Sequence, residues 1–394
     1  QLAILQVIVP LIAAPLCLIL RNSKLIWAIA LTVSASCAVI SLMLLQLVIS
    51  KGAISYALGD WQAPIGISYN IDALSAYLLV IISTIGSVIV LASWHITRKE
   101  LSKKKQPLFY VTYLLCLAGI LGIVATGDVF NLFIFIEVSA LASYSLIAMG
   151  KDRRALTASF NYLLVGTLGA TFILIAIGLM YMLTGTLNMH DLSQRLPELS
   201  QSRTLFTALS FFVVGVSLKL ALFPLHWWLP NAYAFAPSIA STFLAATATK
   251  VAIYILLRFI FGVFGREFSF GALPLQEILM SLGVAGIFAA STMSIFQKNA
   301  KQLLAYSSVA QVAYMILTLG FNNQSGLLAT LIHIFNHALM KGALFLALAA
   351  VMYRVGSMEI KQFAGLGRQM PWTFAAIVIG GLSLIGIPLT VGFV

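Results

Sequence analysis

Residues 3–20, 25–49, 72–94, 108–126, 129–149, 159–183, 205–223, 238–262, 273–296, 302–320, 326–352 and 372–394 are apolar runs. Most approach or exceed the roughly 20 residues a helix needs to cross a bilayer. Such a succession leaves few folds open. In hydrocarbon every backbone N–H and C=O must be paired within the protein, so only helices and closed barrels span. The runs lack the alternation that barrel strands need. The fold class is therefore all-α: a polytopic membrane protein with about twelve transmembrane helices in 394 residues. Only 9% of residues are charged and the mean hydropathy is +1.02, against about 25% charged in soluble chains.

The net charge of +12 points to topology rather than to nucleic acid. With the N-terminus outside, fifteen of the 23 basic residues fall in inside connections. They are Arg21, Lys24, Arg98, Lys99, Lys103–Lys105, Lys151, Arg153, Arg154, Lys298, Lys301, Arg354, Lys361 and Arg368. Lys51, Arg195, Arg203, Arg258 and Arg266 fall outside or at helix ends. This is the positive-inside bias, and it predicts a multi-pass protein of the cell inner (cytoplasmic) membrane. Of the acids, Glu100, Asp152 and Glu359 fall inside. Asp60, Asp72, Asp128, Asp191, Glu198, Glu267 and Glu277 fall outside or at ends.

The sorting leaves a short inventory within the spans: one carboxylate, Glu137; three amines, Lys219, Lys250 and Lys341; and the imidazoles His333 and His337. A charge in mid-bilayer costs about 2.5–3.5 kcal/mol on insertion scales, so it faces the protein interior or water and seeks a partner. Glu137 and Lys219 are the natural pair, and its opening and closing changes how firmly each holds a proton. The bland alternative is a bridge that only locks two helices. Lys250 and Lys341 have no such acid and suit stations on a proton relay; the alternative is snorkelling to an interface. His333 and His337 stand at i, i+4 on one helix face, approximately in line with Lys341. Imidazole carries protons near neutral pH. Such a pair could also hold a metal, yet no third ligand is evident.

Pro224 should break the helix that carries Lys219 about one turn beyond it, leaving a half-helix or re-entrant piece over 225–236. A broken helix at membrane depth is tolerated where it is buried or lines a hydrated cavity. Trp227 and Trp228 beside the break read as interfacial belt residues. His226 lies near the break. Cys17, Cys37 and Cys116 are scattered in apolar runs and read as core. With no nucleotide loop, haem ligand set or cysteine cluster, no cofactor is expected. The chain opens on Gln1 and stops within GIPLTVGFV, so truncation is expected at the C-terminus at least.

The segments TGDVFNLFIFIEVSALASYSL, KLALFPLHWWLPNAYAFAPS with the run to Lys250, KQLLAYSSVAQ, and HIFNHALMKGALF leading to GLSLIGIPLTVGF resemble one family. It comprises the antiporter-like subunits shared by multisubunit Na+/H+ antiporters (the D-type subunit of the Mrp kind) and respiratory complex I. The resemblance covers most of the chain from about residue 70. It implies about fourteen helices in the family and two inverted five-helix repeats, each with a broken helix. Here the regions would be 1–107 (N-terminal helices), 108–262 (first repeat, broken at Pro224) and 273–394 (second repeat, broken near Pro388). The family's acid matches Glu137, its first-half lysine Lys219, its central lysine Lys250, and its linking positions His333, His337 and Lys341. A further ionisable residue should follow Val394. LTVG stands where many members have PLSG. Asn231, Ala232 and Tyr233 stand where complex I versions often have Asp–Ala–His, which favours the antiporter side. The implied function is proton translocation within a cation (Na+)/proton antiporter, with other membrane subunits and the lipid bilayer as partners. The alternative is a proton-pumping subunit of a complex I-type NADH:quinone oxidoreductase or membrane-bound hydrogenase.

Overall fold

The computed structural model describes residues 1–20 and 22–393. Arg21, counted above among the inside charges, and Val394, the end of the twelfth run, lie outside the described residues. In chain order the elements are α1 (Leu2–Ile19), α2 (Ser23–Lys51), the hairpin β1 (Ile54–Ala57) and β2 (Ser68–Ile71), α3 (Ala73–Glu100), α4 (Lys105–Ala125), α5 (Val129–Ala148) and α6 (Arg154–Thr184). There follow α7 (Met189–Arg195), α8 (Arg203–Leu220), α9 (Leu229–Phe235), α10 (Ser238–Leu257), α11 (Arg266–Ala272) and α12 (Leu275–Ile295). The last are α13 (Ala300–Gly320), α14 (Gln324–Val355), α15 (Leu366–Gln369) and α16 (Pro371–Ile385). Among the described residues eleven helices are long and apolar enough to cross a membrane. The twelfth expected span is the 15-residue α16, which stops where Gly386 turns left-handed at φ 80°.

Local chemistry sets many of the helix starts. The side chains of Asn22, Asp72, Asp128, Asn188, Asn299 and Asn323 each accept a backbone N–H from the first turn of the helix they precede. Each such cap contributes about 1 kcal/mol. The antiparallel hairpin, Ile54 opposite Ile71 and Ala57 opposite Ser68, has no counterpart in the sequence reading. It leads directly into Asp72, which caps α3 and holds Arg258 at 2.6 and 2.9 Å. Arg258 opens a wider π turn, Arg258–Val263, that continues α10.

The core centres on α10, every residue of which is buried except Ala248. It packs against α14, α3 and α8. A second close pair, α6 and α8, meets backbone to backbone. A β-carbon on Gly215 would stand 2.7 Å from the carbonyl oxygen of Gly169, and one on Gly169 would stand 2.9 Å from that of Gly215. Small residues permit this approach, and in a bilayer close packing supplies much of the association energy.

Candidate ion-translocation site

α8 ends one residue after Lys219. Ala221 adopts left-handed φ 58°, its N–H reaches Leu218 O, and the N–H of Leu222 reaches Ser217 O. These bonds satisfy carbonyls that a helix end leaves open. The chain then turns through Pro224 and resumes as the half-helix α9. The break therefore comes closer to Lys219 than a full turn, because the left-handed Ala221 stops the helix before Pro224 is reached. The corresponding stop in α16 also precedes its proline: the helix ends at Ile385, three residues before Pro388.

The tryptophans at this break divide. Trp227 is 51% exposed, whereas Trp228 is 2% exposed, so the belt assignment fails for Trp228. Its indole N–H donates to Leu218 O at 3.1 Å, and its ring stacks on Tyr162 with centroids 3.9 Å apart. Trp228 is a plug that pairs a carbonyl freed by the break.

Lys219 Nζ lies 3.5 Å from Glu137 Oε1 on α5. The lysine side chain is 9% exposed and the carboxylate side chain 26%, so the pair is sealed on the lysine side and open on the acid side. A cavity of about 50 Å³ adjoins Lys219, between Ser139 and Ser143 of α5 and Ala248, Val251 and Ala252 of α10. That is room for a few ordered waters.

Lys250 and Lys341 are both fully buried, which removes snorkelling. Lys250 Nζ donates to Ala245 O at 2.5 Å and to Thr249 Oγ1 at 3.4 Å. Lys341 Nζ donates to Leu304 O and Ser307 Oγ of α13, each at 2.9 Å. Neither has a carboxylate within 4 Å among the described residues. Between them on α14 stand His333 and His337, their rings 6.0 Å apart and 10° from parallel. Lys250 lies within electrostatic reach of His333, His337 and Lys341, and His337 within reach of Lys341. Both ring nitrogens of His337, and Nε2 of His333, have no hydrogen-bond partner. Buried imidazoles left open in this way are places for water. A cavity of about 730 Å³ reaches His333 and Ser307 from the side of α12 and α16. The arrangement thus brings Glu137 with Lys219, both His333 and His337 with Lys250, and His337 with Lys341. The 50 Å³ cavity lies against α10, the helix that carries Lys250. No cluster of three His, Cys, Asp or Glu that could hold a metal occurs among the described residues.

Two ionisable residues depart from expectation. The sequence places Glu100 among inside-loop charges and leaves Glu137 as the only acid within a span. Glu100 is in fact the last residue of α3 and 8% exposed. Lys301, also expected in a loop, is 3% exposed. Both are counted in the sequence among the charges of inside connections, and docking of the α9–α10 link covers them.

Residues 126–394 match the family model described as NADH:quinone oxidoreductase/Mrp antiporter, TM. The chain is 39% identical to the N subunit of NADH-quinone oxidoreductase from Desulforudis audaxviator, over 100% of its length and 78% of that protein's. It is 32% identical to the D subunit of the Na(+)/H(+) antiporter from Alkalihalophilus pseudofirmus, with the same coverage. Among solved structures it matches a chain of the archaeal membrane-bound sulfane sulfur reductase with TM-score 0.93 and 31% identity, over 100% of this chain and 80% of that one. A chain of the Mrp complex from Dietzia sp. matches with TM-score 0.88 at 24% identity, over 98% and 71%, a likeness of fold. A break-capped lysine facing a carboxylate, a histidine-linked file of buried amines, and these matches lead to one conclusion: the chain belongs to the NADH:quinone oxidoreductase/Mrp antiporter transmembrane family.

Proposed function

We propose that this protein is a proton-translocating subunit of a multisubunit monovalent cation (Na+)/proton antiporter. The observation that carries the proposal is the division of its buried charges. Lys219 is paired to Glu137 beside a helix break, while Lys250 and Lys341 are bonded only to neutral oxygens, near the open imidazole of His337. A proton held on Lys219 by Glu137 is released when the pair opens, crosses the cavity of about 50 Å³ to Lys250, and passes His333 and His337 to Lys341. It leaves towards the cavity beyond Ser307. Pro224 and Pro388 mark the two breaks, in two inverted five-helix repeats running roughly over 108–262 and from 273 onward. The chain lies in the inner (cytoplasmic) membrane with its N-terminus outside, which its basic loops support. Its other partners are neighbouring membrane subunits, met at the open side of Glu137.

The test is proton flux in everted vesicles holding the whole complex, driven by Na+ with no electron donor. Wild type should respond, and Lys219→Ala should lose about 100-fold or more of the flux with the complex still assembled. Normal flux in that variant would sink the proposal. A second reading is a proton-pumping subunit of a redox-driven complex, favoured by the 39% identity to an oxidoreductase subunit. It predicts flux only when NADH or another donor is supplied.

A further inference from the structure

Glu100 is a buried carboxylate that Glu137–Lys219 chemistry does not use. Its Oε2 accepts the backbone N–H of Ser238 at 2.7 Å, at the start of α10. Its Oε1 has no hydrogen-bond partner, and neither does the neighbouring Ser238 Oγ. No basic nitrogen lies within 4 Å of it among the described residues. Lys301 approaches the same link from α13. Its Nζ donates to Ala236 O at 3.0 Å and Ser241 Oγ at 3.5 Å. Glu100 and Lys301 form no ion pair but line a shared cavity of about 260 Å³, which Asn299 also lines.

A buried carboxylate with no basic nitrogen in contact is costly, and one oxygen here is open. The donors around it are a carboxylate, a hydroxyl and the carbonyls at the end of a half-helix. Such hard oxygens suit alkali and alkaline-earth cations, and unwound carbonyls beside broken membrane helices hold coupling ions. Asp152, Glu359, Lys151 and Arg154 line the same cavity, with Arg154 paired to Asp152 at 2.5 Å, so its acids and bases balance and leave too little negative charge for a divalent ion. The volume admits several waters as well as the ion.

We propose that Glu100 Oε1 and Ser238 Oγ form a binding site for a partly hydrated monovalent cation of the Na+ class, at the α9–α10 link. Lys301 across the cavity is its competitor: the lysine takes Ala236 O, and its charge repels the cation. This inference deepens the antiport reading and rests on it, but its test does not depend on flux. Equilibrium 22Na+ binding is measured on the purified complex. Glu100→Gln still accepts the Ser238 N–H, so α10 keeps its cap, and it should weaken one class of binding by about tenfold or more. Lys301→Met should tighten the same class by about threefold or more. Unchanged binding in both variants overturns the site. Where Glu100→Gln fails to assemble, Lys301→Met decides alone, and unchanged or weaker binding overturns it. Absence of Na+-driven flux in wild type would instead sink the antiport reading and leave the binding result standing.

Discussion

The Glu137–Lys219 pair and the Lys250–Lys341 file solve the same problem in opposite ways. In the first, a buried amine is balanced by an acid whose side chain is 26% exposed. In the second, two fully buried amines are balanced by no acid and rest on carbonyls and hydroxyls. A balanced charge is stable until its partner leaves, so it can be controlled from outside the chain through the exposed partner. An unbalanced amine is held only by dipoles, so it responds to water and to the charge on its neighbours. The first region suits a gate and the second a conduit.

That contrast can be broken most directly by removing one amine from each region. Lys250→Met should abolish Na+-driven flux, by about 100-fold or more, while leaving the melting temperature unchanged or higher, because it deletes a buried charge that has no acid. Lys219→Met removes only one partner and strands Glu137; loss of a buried pair's partner costs about 3–5 kcal/mol, and the partial exposure here places it at the low end. Thermal melts of the two variants should therefore move in different directions, and equal destabilisation would erase the distinction. The smallest expected effect tests the break itself. Trp228→Phe keeps the stack on Tyr162 and loses the bond to Leu218 O, which is worth about 1 kcal/mol. The melt should fall slightly and flux should persist; a flux loss as large as that of Lys219→Met would make Trp228 part of the gate.

Much of this is legible in the sequence because buried charge is rare in an apolar chain. Glu137, Lys219 and Lys250 stand in separate hydrophobic runs, His333, His337 and Lys341 share one at four-residue spacing, and the span pattern gives the helices. Proline chemistry gives the region of the break but not its residue, since left-handed Ala221 stops α8 first. Trp228 and Glu100 escape the sequence reading for a shared reason. A tryptophan near a helix end and a glutamate amid lysines are usually at the surface. Only the tertiary fold buries both, Trp228 against Tyr162 of α6 and the end of α8, and Glu100 beneath the α9–α10 link. The hairpin is hidden because Ile54–Ala57 and Ser68–Ile71 are short and flank a long connection.

The glycine contact between α6 and α8 has a mechanical meaning. With Gly169 and Gly215 touching backbone to backbone four residues before Lys219, α8 cannot slide or roll without driving peptide groups into each other. The lysine is thus a fixed electrode. Any stroke that opens the pair must come from α5 or from rotation of the Glu137 carboxylate.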